Sequence, residues 1–222
     1  PEVRGSGGPW VDFEEEALWE GCAFLDGTEE DRDHHNLVMP YRGHLVMPWA
    51  PEWGRGGLSF FDMDDPCDPK RAGDSFSPWM RETHSMGFVH LDEASDYPGD
   101  WAMVNGLLGV LSWDISDPAD IQEGSYVTLP DVFYPDAYAR VVLSVCWQYP
   151  WLYVAGSDNG IYVMDATDPL NPFLVSQYKF DPVLRAGGVW ALGNLLIVST
   201  AEGKQTAILD ISDPAAPQPI LG

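Results

Sequence analysis

Nowhere in the 222 residues does an apolar run reach the roughly 18 residues that a membrane-spanning helix needs. Basic residues are also scarce, 11 against 35 acidic ones, which leaves a formal charge of −24. Such a chain repels a phosphate backbone and an anionic membrane surface, so neither is expected as a partner. A self-repelling soluble surface, cation binding and a high-salt habitat all remain compatible with the charge. Three cysteines (Cys22, Cys67, Cys146) are too few for a disulfide scaffold. Cys146 lies in the apolar run "VVLSVCW" and reads as a buried free thiol. Cys22 and Cys67 sit in polar surroundings and either stay apart or pair in an oxidising compartment. No initiator methionine or signal peptide opens "PEVRGSGGPW", which reads as a mature or partial chain. The G-x-S-x-G elbow, the P-loop and the dinucleotide fingerprint are missing, and Ser144 and Cys146 lie inside a strand without the turn that exposes a nucleophile.

What the chain does have is 22 glycines, 19 prolines and 45% apolar residues, a composition suited to many short strands and turns around a sizeable core. It also has a repeated phrase. "LSWDISDPADI" (111–121), "IYVMDATDPLNP" (161–172) and "AILDISDPAAP" (207–217) are near copies, and "SFFDMDDPCDP" (59–69) is a looser one. Their prolines Pro66, Pro118, Pro169 and Pro214 are 52, 51 and 45 residues apart, a period typical of propellers and arrays. Each unit contains three apolar strand-like runs, the third ending in the Asp-Pro phrase, and a short fourth is visible in "SYVTLP" (125) and "FLVSQYKF" (173). Four strands per unit is the make-up of a propeller blade, so the chain is expected to be all-β, with no helix longer than about three turns within residues 34–220.

The Asp-Pro phrase has a physical reading as a turn. A carboxylate accepts backbone N–H groups, and proline presets φ and forces the residue before it into an extended conformation. Asp114, Asp117, Asp165, Asp168, Asp210 and Asp213 are therefore expected to be structural turn residues, with Asp114, Asp165 and Asp210 in equivalent places at third-strand ends. The second proline (Pro69, Pro172, Pro217) stiffens the start of an edge strand, where a missing N–H does little harm; Ile121 breaks that pattern in the second unit. Asn159-Gly160 stands where a tight hairpin needs positive φ.

These phrases, D-[IA]-[ST]-D-P-x-x-P after an apolar strand, resemble the LVIVD repeat, a β-propeller family of many bacterial secreted and surface proteins. The resemblance covers about residues 34–220 and is sharpest in the third and fourth units. It implies a propeller fold and a secreted or cell-surface address, and no reaction. The expected organisation is an N-terminal extension, 1–33, able to supply an outer strand of a preceding blade. Blades follow at 34–83, 84–137, 138–184 and 185–222, the last incomplete, as a segment of a larger ring.

Candidate chemistry falls on the first strands, which line a propeller's axis. Arg32, Arg81, Arg140 and Arg185 recur there, four of the 11 basic residues. They either pair with acids such as Asp31, Asp33, Glu82 and Asp136 or offer guanidinium donors to an anionic ligand. His34, His35 and His84 are the candidate metal ligands; His44 and His90 complete the histidines, and no standard zinc spacing is present. The acid-rich loops 26–33 and 91–100 have the oxygen density that suits calcium, without EF-hand spacing. Trp49, Trp53 and Trp79 are expected in loops, as an exposed partner or glycan surface. The reading is a non-enzymatic module that contacts other protein chains or the remainder of a larger propeller, with higher-order assembly open. Its alternative is a metal-dependent enzyme or small-anion binder at the axial channel.

Overall fold

In the computed structural model the described residues are 2–3, 11–12, 37–49, 56–65, 68–81, 83–133 and 141–221. A short pair, β1 (Glu2–Val3) and β2 (Val11–Asp12), precedes four sheets of four antiparallel strands each. Blade 1 holds β3 (Met39–Tyr41), β4 (His44–Trp49), β5 (Gly56–Asp62) and β6 (Lys70–Ser77). Blade 2 holds β7 (Met86–Leu91), β8 (Gly99–Asn105), β9 (Gly109–Asp114) and β10 (Gln122–Thr128). Blade 3 holds β11 (Ser144–Gln148), β12 (Trp151–Ala155), β13 (Ile161–Asp165) and β14 (Phe173–Tyr178). Blade 4 holds β15 (Ala186–Leu192), β16 (Leu195–Thr200), β17 (Thr206–Asp210) and β18 (Gln218–Leu221). Every strand pairs with its neighbour in sequence, and no helix occurs among the described residues. The β-propeller class is thus the fold observed.

The fourth sheet has all its strands, although its sequence suggests an incomplete blade. Four residues suffice: Gln218 pairs with Asp210, and Pro219 lies opposite Leu209 on an edge, where no further strand asks for its missing N–H. In blade 1 the outer strand "KRAGDSFS" carries little apolar signal, yet seven of its residues pair with β5. The ladder to the already formed β5 fixes this strand, because its own side chains barely alternate. Asn159 does not take positive φ. The loop after β12 is longer than two residues, and Ser157 (φ 59°) and Gly160 (φ 80°) adopt the left-handed backbone instead. A Cβ at Gly160 would run into the Tyr178 carbonyl oxygen, so glycine is required there.

The core lies between the sheets. One apolar cluster joins Val46, Leu58 and Phe60 of blade 1 to Ala102, Val104 and Trp113 of blade 2. A second joins Trp101, Met103 and Val110 to Trp147, Leu152 and Met164. A third joins Tyr153, Ile161 and Val163 to Val189, Leu196 and Leu209. A middle blade therefore buries both faces, which is why runs such as "IYVM" are continuously apolar rather than alternating. In all four sheets the register slips at the same place, between the third and fourth strands. The residues left unpaired are Ala72, Gly124, Val175 and Ile220, a bulge that twists each outer strand.

Truncation should separate the two environments. Leu152 has no exposed surface and sits in the seam between blades 2 and 3, so Leu152→Ala should cost about 2–5 kcal/mol in urea unfolding. Leu192→Ala, at a side chain 67% exposed, should stay within about 0.5 kcal/mol of the parent chain.

Candidate functional site: the two ends of the blades

Antiparallel order gives every blade two different ends. Turns from first to second and from third to fourth strand share one end. The turn from second to third strand shares the other with the connection to the next blade.

At the first end the aspartates do turn chemistry. The carboxylates of Asp114, Asp165 and Asp210 each accept the backbone N–H two residues on, from Ser116, Thr167 and Ser212, at 3.0, 2.9 and 2.8 Å. Asp62 does the same for Asp64 at 2.8 Å. Asp117, Asp168 and Asp213 repeat the motif three residues later, accepting from Ala119, Leu170 and Ala215 at 2.9, 2.8 and 3.0 Å. At Asp168 partial burial pushes the carboxyl up, and hydrogen bonds from Asn171, Leu170 and Tyr97 outweigh it, so the net direction is down. The Ser212 hydroxyl and amide hold Asp210 low.

The prolines of the phrase have a second task. The Pro169 carbonyl accepts the Ser125 hydroxyl of the preceding blade at 3.1 Å, and the Pro214 carbonyl accepts Ser176 at 3.0 Å. At the equivalent place in blade 1 a Cβ on Gly73 would collide with the Pro118 carbonyl oxygen. The second, third and fourth Asp-Pro turns thus rest on the outer strand of the blade before them.

A cleft missed by the sequence reading opens at the same end, on the seam of blades 1 and 2, lined by Tyr41, Arg42, His44, Phe60, Asp100 and Ser116 among others. Asp100 is its hub. It accepts the Tyr41 hydroxyl at 2.7 Å, faces the His90 Nδ1 at 2.8 Å and lies 3.5 Å from the Arg42 guanidinium. Burial first, then Asp100, pushes the Tyr41 hydroxyl above its ordinary range. The only sequence sign was "YRGH": Arg42 (φ 47°) and Gly43 (φ 85°) form the two-residue hairpin that aims Tyr41 and His44 at the seam.

At the connection end, Arg185 gives its donors to acids: Nε and Nη2 to Asp158 at 2.8 and 3.1 Å, and Nη1 to Glu202 at 3.1 Å. Lys179 approaches Asp131 at 3.3 Å, and the Asn159 amide donates to the Asp131 carbonyl at 3.0 Å. The buried Asn105 side chain accepts the N–H groups of His84 and Ser85 and donates to the Val142 carbonyl, tying the start of one inner strand to the approach to the next. Arg81 is half-buried, and its Nε has no hydrogen-bond partner among the described residues. His84 is exposed. Among the described residues, three connections each expose one large apolar side chain: Trp79 (40%), Phe133 (59%) and Val183 (63%).

Of the expected site residues, Arg32, Arg140, His34 and His35 lie outside the described residues, as do Cys22, Cys67, Trp53 and the 26–33 loop. The Asp92 carboxylate caps its own turn at the Ala94 N–H (3.0 Å), and among the described residues no three His, Cys, Asp or Glu converge. Trp49 is not in a loop. It ends β4, is 4% exposed and donates to the Ser59 hydroxyl at 2.6 Å, because the β4–β5 ladder extends through it. Trp79 does sit in a turn, stacked on Tyr126 with ring centroids 4.9 Å apart. Cys146 is half-buried, which pushes its thiol up, and its sulfur accepts the Ala191 N–H at 3.2 Å.

The depressed Asp210 carboxyl sets an acid limit. Because the folded value lies below the ordinary 3.8, its stabilisation is complete above that pH and disappears as pH falls through the folded value. Thermal unfolding followed from about pH 5 to about pH 2 should show Asp210→Asn flattening the acid decline; an unchanged slope would remove the turn's electrostatic role.

Residues 150–179 and 185–220, which carry the third and fourth Asp-Pro phrases, match the family model of the LVIVD repeat. No curated protein matches the chain. Among solved structures, the computationally designed Ika8 protein is similar at 12% identity and a TM-score of 0.54, over 84% of this chain and 48% of that one. BamB from Moraxella catarrhalis, a β-propeller, is similar at 16% identity and a TM-score of 0.53, over 86% of this chain and 47% of that one. The chain spans about half the length of each, and at these identities the likeness establishes the fold alone. Repeat phrase, blade geometry and family match agree: residues 150–179 and 185–220 carry LVIVD repeats, and the chain has the β-propeller fold.

Proposed function

We propose that the chain is a non-enzymatic protein-interaction or structural module, secreted or held on a bacterial cell surface, which meets its partner at the connection end. The observation that carries this reading is the row formed by Trp79, Phe133 and Val183, one exposed apolar side chain on each of three successive connections. Lone exposed apolar residues are unremarkable, but one on each of three successive connections offers several apolar anchors at the same end. Polar pairs flank it, Lys179 with Asp131 and Arg185 with Asp158 and Glu202. Apolar anchors with a polar rim are the make-up of a protein interface. A charge of −24 favours a partner with a neutral or basic face. The address rests on the resemblance to LVIVD-repeat proteins. The small-anion alternative loses Arg185, whose guanidinium is already engaged by two acids.

A photo-crosslinking residue placed at Phe133 or Val183 in the producing cell should form an adduct with a second protein. The same residue at Leu170, exposed at the opposite end, should not. No adduct from either connection, or equal adducts from Leu170, would sink the proposal. Fractionation should place the protein outside the cytoplasm; recovery in the cytoplasmic fraction alone would overturn the address.

A further inference from the structure

Blade 4 keeps one sheet face open, and the register shows which face it is. Ile197 of β16 stands where Val46, Met103 and Tyr153 stand in blades 1, 2 and 3. Those three are 0, 0 and 1% exposed, because each is covered by the blade that follows; Ile197 is 39% exposed. Leu195 holds the place of Trp101, which is 5% exposed, and is itself 41% exposed. Trp190 and Leu192 of β15 are 65 and 67% exposed, in the places of Cys146 and Gln148. In blade 3 both of those are engaged with blade 4: Cys146 takes the Ala191 N–H, and Gln148 clasps the backbone of Gly193 with two bonds of 2.8 Å.

We propose that this open face is the docking surface for a fifth four-stranded blade of the same polypeptide, packed on blade 4 as blade 4 packs on blade 3. Continuity is the first argument, since blades 1, 2 and 3 each give this same face to their successor. Charge is the second: β15 and β16 contain no ionisable residue in a chain of charge −24, so covering them strips no ion of water. Topology is the third. β18 runs toward the end from which residues 179–185 lead blade 3 into blade 4, so the next inner strand starts beside the open face. Length is the fourth, because the chain covers only 48 and 47% of two similar structures, whose remaining length is about that of this chain again.

A second copy fits less well. Two chains of charge −24 repel. Head-to-tail closure onto blade 1 is also not on offer, because the reciprocal face there (Met47, Trp49, Phe61) is already buried. Side-chain size narrows the occupant further. Gly87 of blade 2 lies against the backbone and Cβ of Trp147, and Cys146 of blade 3 against the Ala191 N–H, so the successor's inner strand comes close at this place. Trp190 fills the same place at the fourth seam and calls for a recess opposite it. The surface is separate from the connection end, and the two proposals stand or fall independently.

The test places a photo-crosslinking residue at Leu192 or Ile197 in the protein as its own gene encodes it. The expected product is an internal crosslink, without gain in mass, into strand residues that follow β18. A doubled mass would make a second copy the occupant, and an adduct with a different protein would make it a foreign partner. No crosslink would leave the face bare, and each of these three results overturns the proposal. Hydrogen exchange gives a second readout that needs no substitution. Amides of β16 should exchange at least about tenfold more slowly in the gene-encoded protein than in a chain ending at Gly222; equal rates overturn the fifth blade.

Discussion

Burial of each sheet against the next is the constraint from which the rest of this structure follows. A four-stranded sheet alone leaves two faces in water. Stacked between neighbours, blades 2 and 3 lose both, and Trp113, Leu152, Tyr153 and Tyr162 reach 0 or 1% exposure. Full burial of such side chains is worth about 1.5–3 kcal/mol each, which no single blade could collect. The same constraint governs the inner strands. At Gly87 the neighbouring backbone comes so near that an added Cβ would stand 2.9 Å from Trp147 Cβ. Small residues there are set by the seam, not by the strand.

The Asp-Pro phrase belongs to this constraint as much as to its own turn. Its aspartates satisfy backbone N–H groups that the end of a third strand leaves open, and its proline carbonyl points back to the preceding blade. Ser125 and Ser176 supply the donors across the seam. The phrase therefore closes a strand and starts the outer strand, and at Pro169 and Pro214 it also latches two blades together, a physical reason for its recurrence.

The two ends are consequently unequal. The Asp-Pro end is committed to turn bonds repeated from blade to blade, and an irregular feature there is the Asp100 cluster where Tyr41, His90 and Arg42 meet. The connection end carries no repeated phrase. Its loops differ in length and sequence, its ion pairs join different blades, and its apolar tips are partly exposed, Trp79 while stacked on Tyr126. Variable loops on a repeated scaffold are where recognition can be specified without disturbing the fold.

The sequence by itself determined the blade count, the first three strands of each blade and the turn chemistry, because these rest on local patterns: an apolar run, an aspartate, a proline and a fixed period. It also marked Arg185 as placed at the start of an inner strand. Only the tertiary structure decided what such residues face. Asp158 and Glu202 lie 27 and 17 positions from Arg185 and become its partners through the β12–β13 and β16–β17 turns. Trp49 passed for a loop residue until its pairing with β5 buried it. Asp100 carries no signature of its own and becomes a hub because Tyr41, 59 residues earlier, is delivered by the adjoining blade. Which face of blade 4 stays open was equally hidden. "GGVWAL" and "LLIVST" read as core strands, and their alternation says only that two faces exist. The presence of a neighbouring sheet decides which of the two is covered, because burial is a property of the stack and not of the strand.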